Sequence, residues 1–254
     1  MSKYIVVILL LAVFLGVARS SKAEQVPANA VQYLPMLKEQ MAEYWPQFKR
    51  VDYMAGQIEQ ESCISLKHPR CWNPKSELRI KYKDSEVLRE NGVNFGQTTI
   101  ARNPDGTIKF DMMKELGKRD EMLSHWTFED RFNPKMGIRA ILVLNKSNYN
   151  AIKWPVADED QKDAFMYAYY NGGSSYTNVK LCRLKKGCDH TRWFGNAALT
   201  SAKSHQAAHG YGQSFYDINS SYPLHVMCER PFKYQRLLGV EYEKSLDCAD
   251  AHPY

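Results

Sequence analysis

Met54-Ala55-Gly56-Gln57-Ile58-Glu59-Gln60-Glu61-Ser62 is the stretch on which the reading of this chain turns. At 3.6 residues per turn, Met54, Ile58 and Glu61 share a face with Ala55 and Ser62, whereas Glu59 lies a quarter turn or more away. Glu61 therefore continues an apolar stripe and faces the core side, and Glu59 is expected to point outward. A carboxyl group on the core side is poorly solvated. Desolvation disfavours its charged form and raises its pKa toward the range where it can donate a proton near neutral pH. That is the property of a general acid. The plainer alternative is a glutamate at a helix end, hydrogen-bonded or half exposed.

On the N-terminal side, Lys3 precedes an uncharged apolar run from Tyr4 to Ala18. The run is shorter than the roughly 20 residues that span a bilayer and has the length of a signal-peptide core. Ser21-Lys22-Ala23 offers small residues where a signal peptidase reads, so residues 1–23 are expected to be a signal peptide. Cleavage after Ser20 and an uncleaved anchor are the alternatives. The mature chain is then periplasmic or secreted. Its formal charge of +6 falls by three when Lys3, Arg19 and Lys22 are removed. So mild a basic excess argues against a nucleic-acid partner and is compatible with a polyanionic envelope polymer.

Cys63, Cys71, Cys182, Cys188, Cys228 and Cys248 all follow the apolar run. An even number of cysteines in an oxidising compartment predicts disulfides, and chain order offers three short loops, 63 to 71, 182 to 188 and 228 to 248. Six cysteines allow 15 pairings, and sequence does not choose among them. No metal is expected. Paired C-x-x-C elements are missing, and His205-x-x-x-His209 lacks the glutamate of H-E-x-x-H.

The rest of the chain reads as mainly α. Val31, Leu34, Leu37, Met41, Tyr44 and Trp45 recur at steps of three or four between Ala28 and Phe48, with Pro35 near the start of the helix. Cys63 to Trp72 reads as an irregular loop. Trp72-Asn73-Pro74 leads into a charged stretch, Ser76 to Glu90, that is expected to be a surface helix or a partly ordered insertion. In Asn91-Gly92-Val93-Asn94-Phe95-Gly96-Gln97 two glycines permit positive φ or close approach of a ligand, and a bland turn is the alternative. Asn103 to Gly106 is a turn, and Met112 to Leu123 resumes helical spacing. Lys135 to Tyr149 is apolar nearly all round, as expected of a helix in a domain centre. Asp158 caps a helix that ends at Tyr170-Asn171-Gly172-Gly173. Beyond Ser174 periodicity is weak, apart from a short helix near Asn196 to Ala208.

Three of these elements together resemble the soluble lytic transglycosylase domain of glycoside hydrolase family 23. Glu61-Ser62, Gly96-Gln97 and Tyr170-Asn171-Gly172 stand in the order of the family's Glu-Ser, Gly-Leu-Met-Gln and Ala-Tyr-Asn motifs, and Trp72-Asn73-Pro74 looks like its Phe-Asn-Pro. The likeness runs from about Val51 to Gly173. Two features depart from it. Asn94-Phe95-Gly96-Gln97 replaces Gly-Leu-Met-Gln, so Gln97 carries over better than Gly96, and extra residues from Lys75 to Glu90 lengthen the interval after Glu61. With Tyr170 as the family tyrosine, Tyr169 becomes a neighbouring or core contact.

The resemblance implies a lysozyme-like single catalytic domain over residues 24–200, followed by a disulfide-stapled, loop-rich C-terminal extension over 201–254. It implies an enzyme without a cofactor that cuts peptidoglycan glycan strands, using Glu61 as acid and then base. Ser62, Gln97, Tyr170 and Asn171 would line the glycan cleft. Most glycosidases use two carboxylates; the family uses one, assisted by the N-acetyl group of muramic acid, whose own 6-hydroxyl attacks. A lysozyme-type hydrolase is one alternative. A non-catalytic glycan-binding component of an envelope-spanning secretion, conjugation or phage machine is the other.

Overall fold

The computed structural model describes residues 25–176, 182–183, 186–194, 200 and 221–240. The expected signal peptide, the helix near Asn196 to Ala208 beyond Thr200, the His205 and His209 pair, and Cys248 lie outside the described residues. The described chain is mainly helical, with one small antiparallel sheet.

Helix α1 (Ala28–Tyr44) contains Pro35 and buries Ala30, Leu34, Leu37 and Met41. Leu34, Leu37 and Met41 belong to the stripe that the three-and-four spacing picks out, whereas Val31, expected in it, is exposed; each fully buried aliphatic side chain of this kind contributes roughly 1.5–3 kcal/mol. Helix α2 (Val51–Ser62) follows. The charged stretch after it is not helical. It forms β1 (Glu77–Lys81) and β2 (Leu88–Val93), joined antiparallel with Glu77 opposite Val93 and Ile80 opposite Glu90. Asn91 pins this ladder by donating from Nδ2 to the Glu77 carboxylate at 3.0 Å. Leu78 and Arg79 are both exposed, so the usual in-and-out alternation that marks a strand is absent, and the polar composition reads like a surface helix.

Strands β3 (Thr98–Arg102) and β4 (Ile108–Asp111) complete the sheet in the order β1-β2-β3-β4, with the Asn103 to Gly106 turn between them. The helix expected over Met112 to Leu123 is two short helices, α3 (Met112–Gly117) and α4 (Glu121–Ser124). Each has its own cap. Asp111 accepts from the Lys114 amide and Asp120 from the Leu123 amide, and a second N-cap inside a run breaks it.

Helix α5 (Pro134–Ala151) starts with Pro at its first position and with Asn133 accepting from the Lys135 and Met136 amides. It divides the interior. Ile138, Ile141 and Leu142 join the main core, while Ala140 and Val143 join a second cluster with Ile100, Met113, Leu116, Leu123 and Trp126 under the sheet. Helix α6 (Glu159–Tyr176) begins where Asp158 accepts from the Gln161 amide at 2.8 Å and is kinked at Gly173, whose φ of 74° only glycine adopts easily.

Residues 221–240 are helical rather than loop-like. Residues 221–224 run into a π-helical segment, His225–Glu229, and then helix α7 (Phe232–Leu238). Tyr222, Leu224, Val226, Met227, Tyr234 and Leu238 belong to the same core as α1 and α2, so the expected division at residue 200 is not a division in packing for this segment. Disulfides join Cys63 to Cys71 and Cys182 to Cys188, and Cys228 is also disulfide-bonded. No helix among the described residues is long and apolar enough to cross a membrane.

Candidate functional site

Helix α2 is buried on all sides from Asp52 to Glu59. What lets a second helical segment lie against it is Gly56. A Cβ there would sit 2.7 Å from the Val226 carbonyl oxygen, so the π-helical segment touches the α2 backbone directly. At the end of α2, Ser62 donates from Oγ to the Ile58 carbonyl at 2.6 Å and accepts from the Trp72 amide at 2.9 Å. It is buried; the first bond closes back on its own helix, and the second ties the helix end to the residue that follows the loop closed by the Cys63–Cys71 disulfide. Ser62 therefore sits behind Glu61 as an anchor of the backbone.

Glu61 is half-buried at the last turn. Its Oε1 accepts a hydrogen bond from the Tyr222 hydroxyl. The Tyr170 ring stacks on that of Tyr222, with centroids 6.4 Å apart and planes 10° from parallel. Tyr170 in turn donates from its hydroxyl to the Gly96 carbonyl at 2.7 Å. Gly96 has to be glycine for this contact, since a Cβ would lie 2.7 Å from the Tyr170 hydroxyl and 2.6 Å from Ile141. Loop, helix and C-terminal segment thus converge on one carboxyl group.

Burial pushes Glu61 up to about 7, and the Tyr222 hydrogen bond pulls the other way without cancelling it. Among the described residues no second carboxylate contributes to that shift. Both tyrosines are raised well above their ordinary value, by burial first and by the Glu61 charge second, so they remain neutral donors beside it. Glu61 is thus protonated for part of the time at neutral pH, which equips it to give up a proton and take one back.

Glu59 does not point outward. It is 0% exposed; Lys233 donates to its Oε1 at 2.7 Å and Arg230 at 3.2 Å, and the Tyr234 hydroxyl donates to Oε2. Tyr234 also accepts from the Trp72 indole at 2.9 Å. Asp52, two turns earlier on the same face, accepts from Arg50 and from Gln235. Helical phase separates Glu59 from Glu61 correctly, but a helix packed on every side has no outward face. Glu59 is a charge-compensated structural carboxylate, whereas no cation is placed against Glu61 among the described residues.

Gln97 adopts a positive φ of 50°. Its Nε2 donates to Ser76 Oγ at 3.1 Å and to the Asn94 carbonyl at 3.2 Å, which holds the turn that presents Gly96. Asn94 is bound from Nδ2 to the Arg131 and Asn133 carbonyls, both at 2.9 Å. Asn171 is exposed on α6, one residue beyond Tyr170. The structure therefore brings Tyr170 and the Gly96-Gln97 turn together beside Glu61 through Tyr222, with Ser62 behind Glu61, and leaves Asn171 exposed next to Tyr170.

Sequence reasoning missed Tyr222, Arg230, Lys233 and Tyr234. They lie in a segment buried on several faces, where apolar periodicity is lost. Only the richness in tyrosine marked it. Among the described residues no group of three His, Cys, Asp or Glu is placed to hold a metal ion. Compared with known proteins, the chain matches no family model, no curated protein and no solved structure.

Proposed function

We propose that this chain is a peptidoglycan lytic transglycosylase with a lysozyme-like catalytic domain, acting outside the cytoplasm on the β-1,4 bond between N-acetylmuramic acid and N-acetylglucosamine. What carries the reading is Glu61: a half-buried carboxyl near pKa 7, hydrogen-bonded by one tyrosine and flanked by a second, with no carboxylate partner contributing among the described residues. The meeting of three sequence motifs at that group supports the same reading. The disulfides fit an oxidising compartment.

In this mechanism protonated Glu61 donates to the glycosidic oxygen, the bond from that oxygen to C1 of muramic acid breaks, and the N-acetyl carbonyl stabilises the positive charge at C1. The Glu61 carboxylate then accepts the proton of the sugar's own 6-hydroxyl as that oxygen bonds to C1. The proton inventory closes on Glu61, and no water is consumed. An attacker in the same sugar has an effective concentration that reaches on the order of 10⁵ M in favourable geometry, well above bulk water at about 55 M.

The test is digestion of purified sacculi in isotopically labelled water, with mass spectrometry of the released muropeptides. Wild-type protein is expected to release 1,6-anhydromuramic ends, one water lighter than hydrolysis products, and Glu61→Gln to release nothing while remaining folded. Reducing ends carrying the label would make the protein a lysozyme-type hydrolase. Binding to sacculi without release would make it a glycan-binding component.

A further inference from the structure

A cavity of about 270 Å³ opens between the start of α2 and the start of α6. Glu61 lies on the order of 15 Å further along α2, at 1.5 Å per residue, so the two sites are separate. Trp45, Phe48 and Tyr149 form aromatic walls, and Glu159, Asp160 and Asp163 bring three carboxyl groups to the lining. Trp45 stacks on Phe48 at 4.5 Å and meets Tyr149 edge-on at 5.4 Å.

Several of the other charged and polar groups here have partners. Arg50 donates twice to Asp52, Lys49 donates to the Pro46 carbonyl, and Tyr149 donates to Glu159. Asp160 and Asp163 accept no hydrogen bond among the described residues, and of the two Asp163 is the buried one. Its side chain is only 5% exposed, it lines the cavity, and it makes no hydrogen bond among the described residues. Its carboxyl oxygens are not sealed off and face the cavity, and a poorly hydrated carboxyl group without a donor marks a place where something else supplies the partner.

We propose that this cavity binds a primary ammonium group carried on an aliphatic chain, as in a lysine-type side chain or a free diamine, with Asp163 as the carboxylate that receives it. The walls suit a cation. Lys162 already holds its ammonium 3.8 Å from the Tyr149 ring centroid, the geometry of a cation–π contact. A divalent metal fits less well, because the carboxyl groups do not converge as a metal cluster among the described residues.

The electrostatics add a signature. Asp163 is held well above the usual carboxylate range by burial first, then by the Asp160 and Glu159 charges, with Arg50 and Lys162 acting in the opposite sense. Lys49 ahead of α2, Asp52 and Tyr53 on α2, Tyr149 on α5 and Tyr167 on α6 complete the titratable surroundings. An arriving cation favours the ionised form, so binding expels a proton and affinity rises with pH until Asp163 is ionised without help. The inference does not rest on the chemistry assigned to Glu61.

Isothermal titration calorimetry on the whole chain, in two buffers of different ionisation enthalpy, tests it. The probes are 1,5-diaminopentane, Nα-acetyl-lysine amide and, as the isosteric control without an ammonium, Nα-acetyl-norleucine amide. At least one amine is expected to bind, more tightly as pH rises and with proton release, while the control does not bind. Asp163→Asn should weaken binding about tenfold or more, since a charge-assisted hydrogen bond is lost. Asp160→Asn should weaken it severalfold, and Glu61→Gln should leave it unchanged. Preference for the lysine amide identifies a peptide-borne amine, and preference for the diamine a free one. No binding by either amine, equal binding by the control, or wild-type affinity in a folded Asp163→Asn protein overturns the proposal. If Asp163→Asn does not fold, unchanged affinity in Asp160→Asn overturns it instead.

Discussion

At Glu61 burial outweighs the single hydrogen bond from Tyr222, and the pKa stands near 7 against an ordinary value of 4.5. A carboxyl group whose folded pKa is raised stabilises the fold in its protonated form. That contribution is fully present below about 4.5 and is lost as pH rises through about 7. Glu61→Gln removes the titration, so it is expected to raise stability at pH 8 by roughly 1–3 kcal/mol and to change little at pH 4, as read from thermal unfolding at the two values. Tyr222→Phe acts in the other sense on the acid. Without its donor the carboxylate is less stabilised, the pKa rises further, and the basic limb of the pH profile of kcat/KM should move to higher pH. A limb that stays in place would mean that Tyr222 does not set the acidity of Glu61. Helical phase separated Glu61 from Glu59 but misjudged their burial, since Glu61 is half-buried and Glu59 fully buried. The difference was not readable because the partners that enclose Glu59 are Arg230, Lys233 and Tyr234, more than 170 residues along the chain.

Among the elements, the segment formed by residues 221–224, the π-helical turn and α7 holds α2 in place through both of its buried acids, Asp52 and Glu59. Breaking one member of such a network leaves an uncompensated charge in the interior, which costs more than the intact pair contributes. Lys233→Met is therefore expected to destabilise the protein by about 2–4 kcal/mol, measured by urea unfolding, with the Glu59→Gln and Lys233→Met pair together costing less than the sum of the two singles. An additive pair would show that Lys233 and Glu59 are not coupled. Local rules recovered α1, α5 and the start of α6, because each has a one-sided or fully apolar pattern or a clear cap. They failed on β1 and β2, where the wet faces of a small sheet carry charged residues in place of alternation, and on the C-terminal helices, where burial on several faces erases the period.

On the scale of the whole molecule, α5 separates a large core around α1, α2, α6 and the C-terminal helices from a smaller one beneath the sheet. The Cys63–Cys71 bridge lies where the large core meets the site, since Cys71 is buried and Trp72 after it reaches Tyr234 and Ser62. Closing a loop of this length stabilises a fold by roughly 2–3 kcal/mol. Replacing both cysteines by serine should lower stability by that amount and reduce murein release more steeply than stability, because the backbone directly after Glu61 loses its tether. Equal residual activity at a temperature where both proteins are folded would rule out the tether. The pairings 63 to 71 and 182 to 188 are two of the three short loops that chain order offers without choosing among them, whereas Cys248 lies outside the described residues.

The contact between Gly56 and the Val226 carbonyl, with Tyr222 just ahead of it, also bears on when the molecule is completed. A ribosome delivers Glu61 first and its hydroxyl partner 161 residues later, and the cation for Glu59 later still. Until that tail arrives, α2 has two interior acids without their full complement of donors and cannot settle. Folding of the large core is therefore expected to wait until residues 222–240 have emerged, and until then the nascent chain carries an unfinished Glu61.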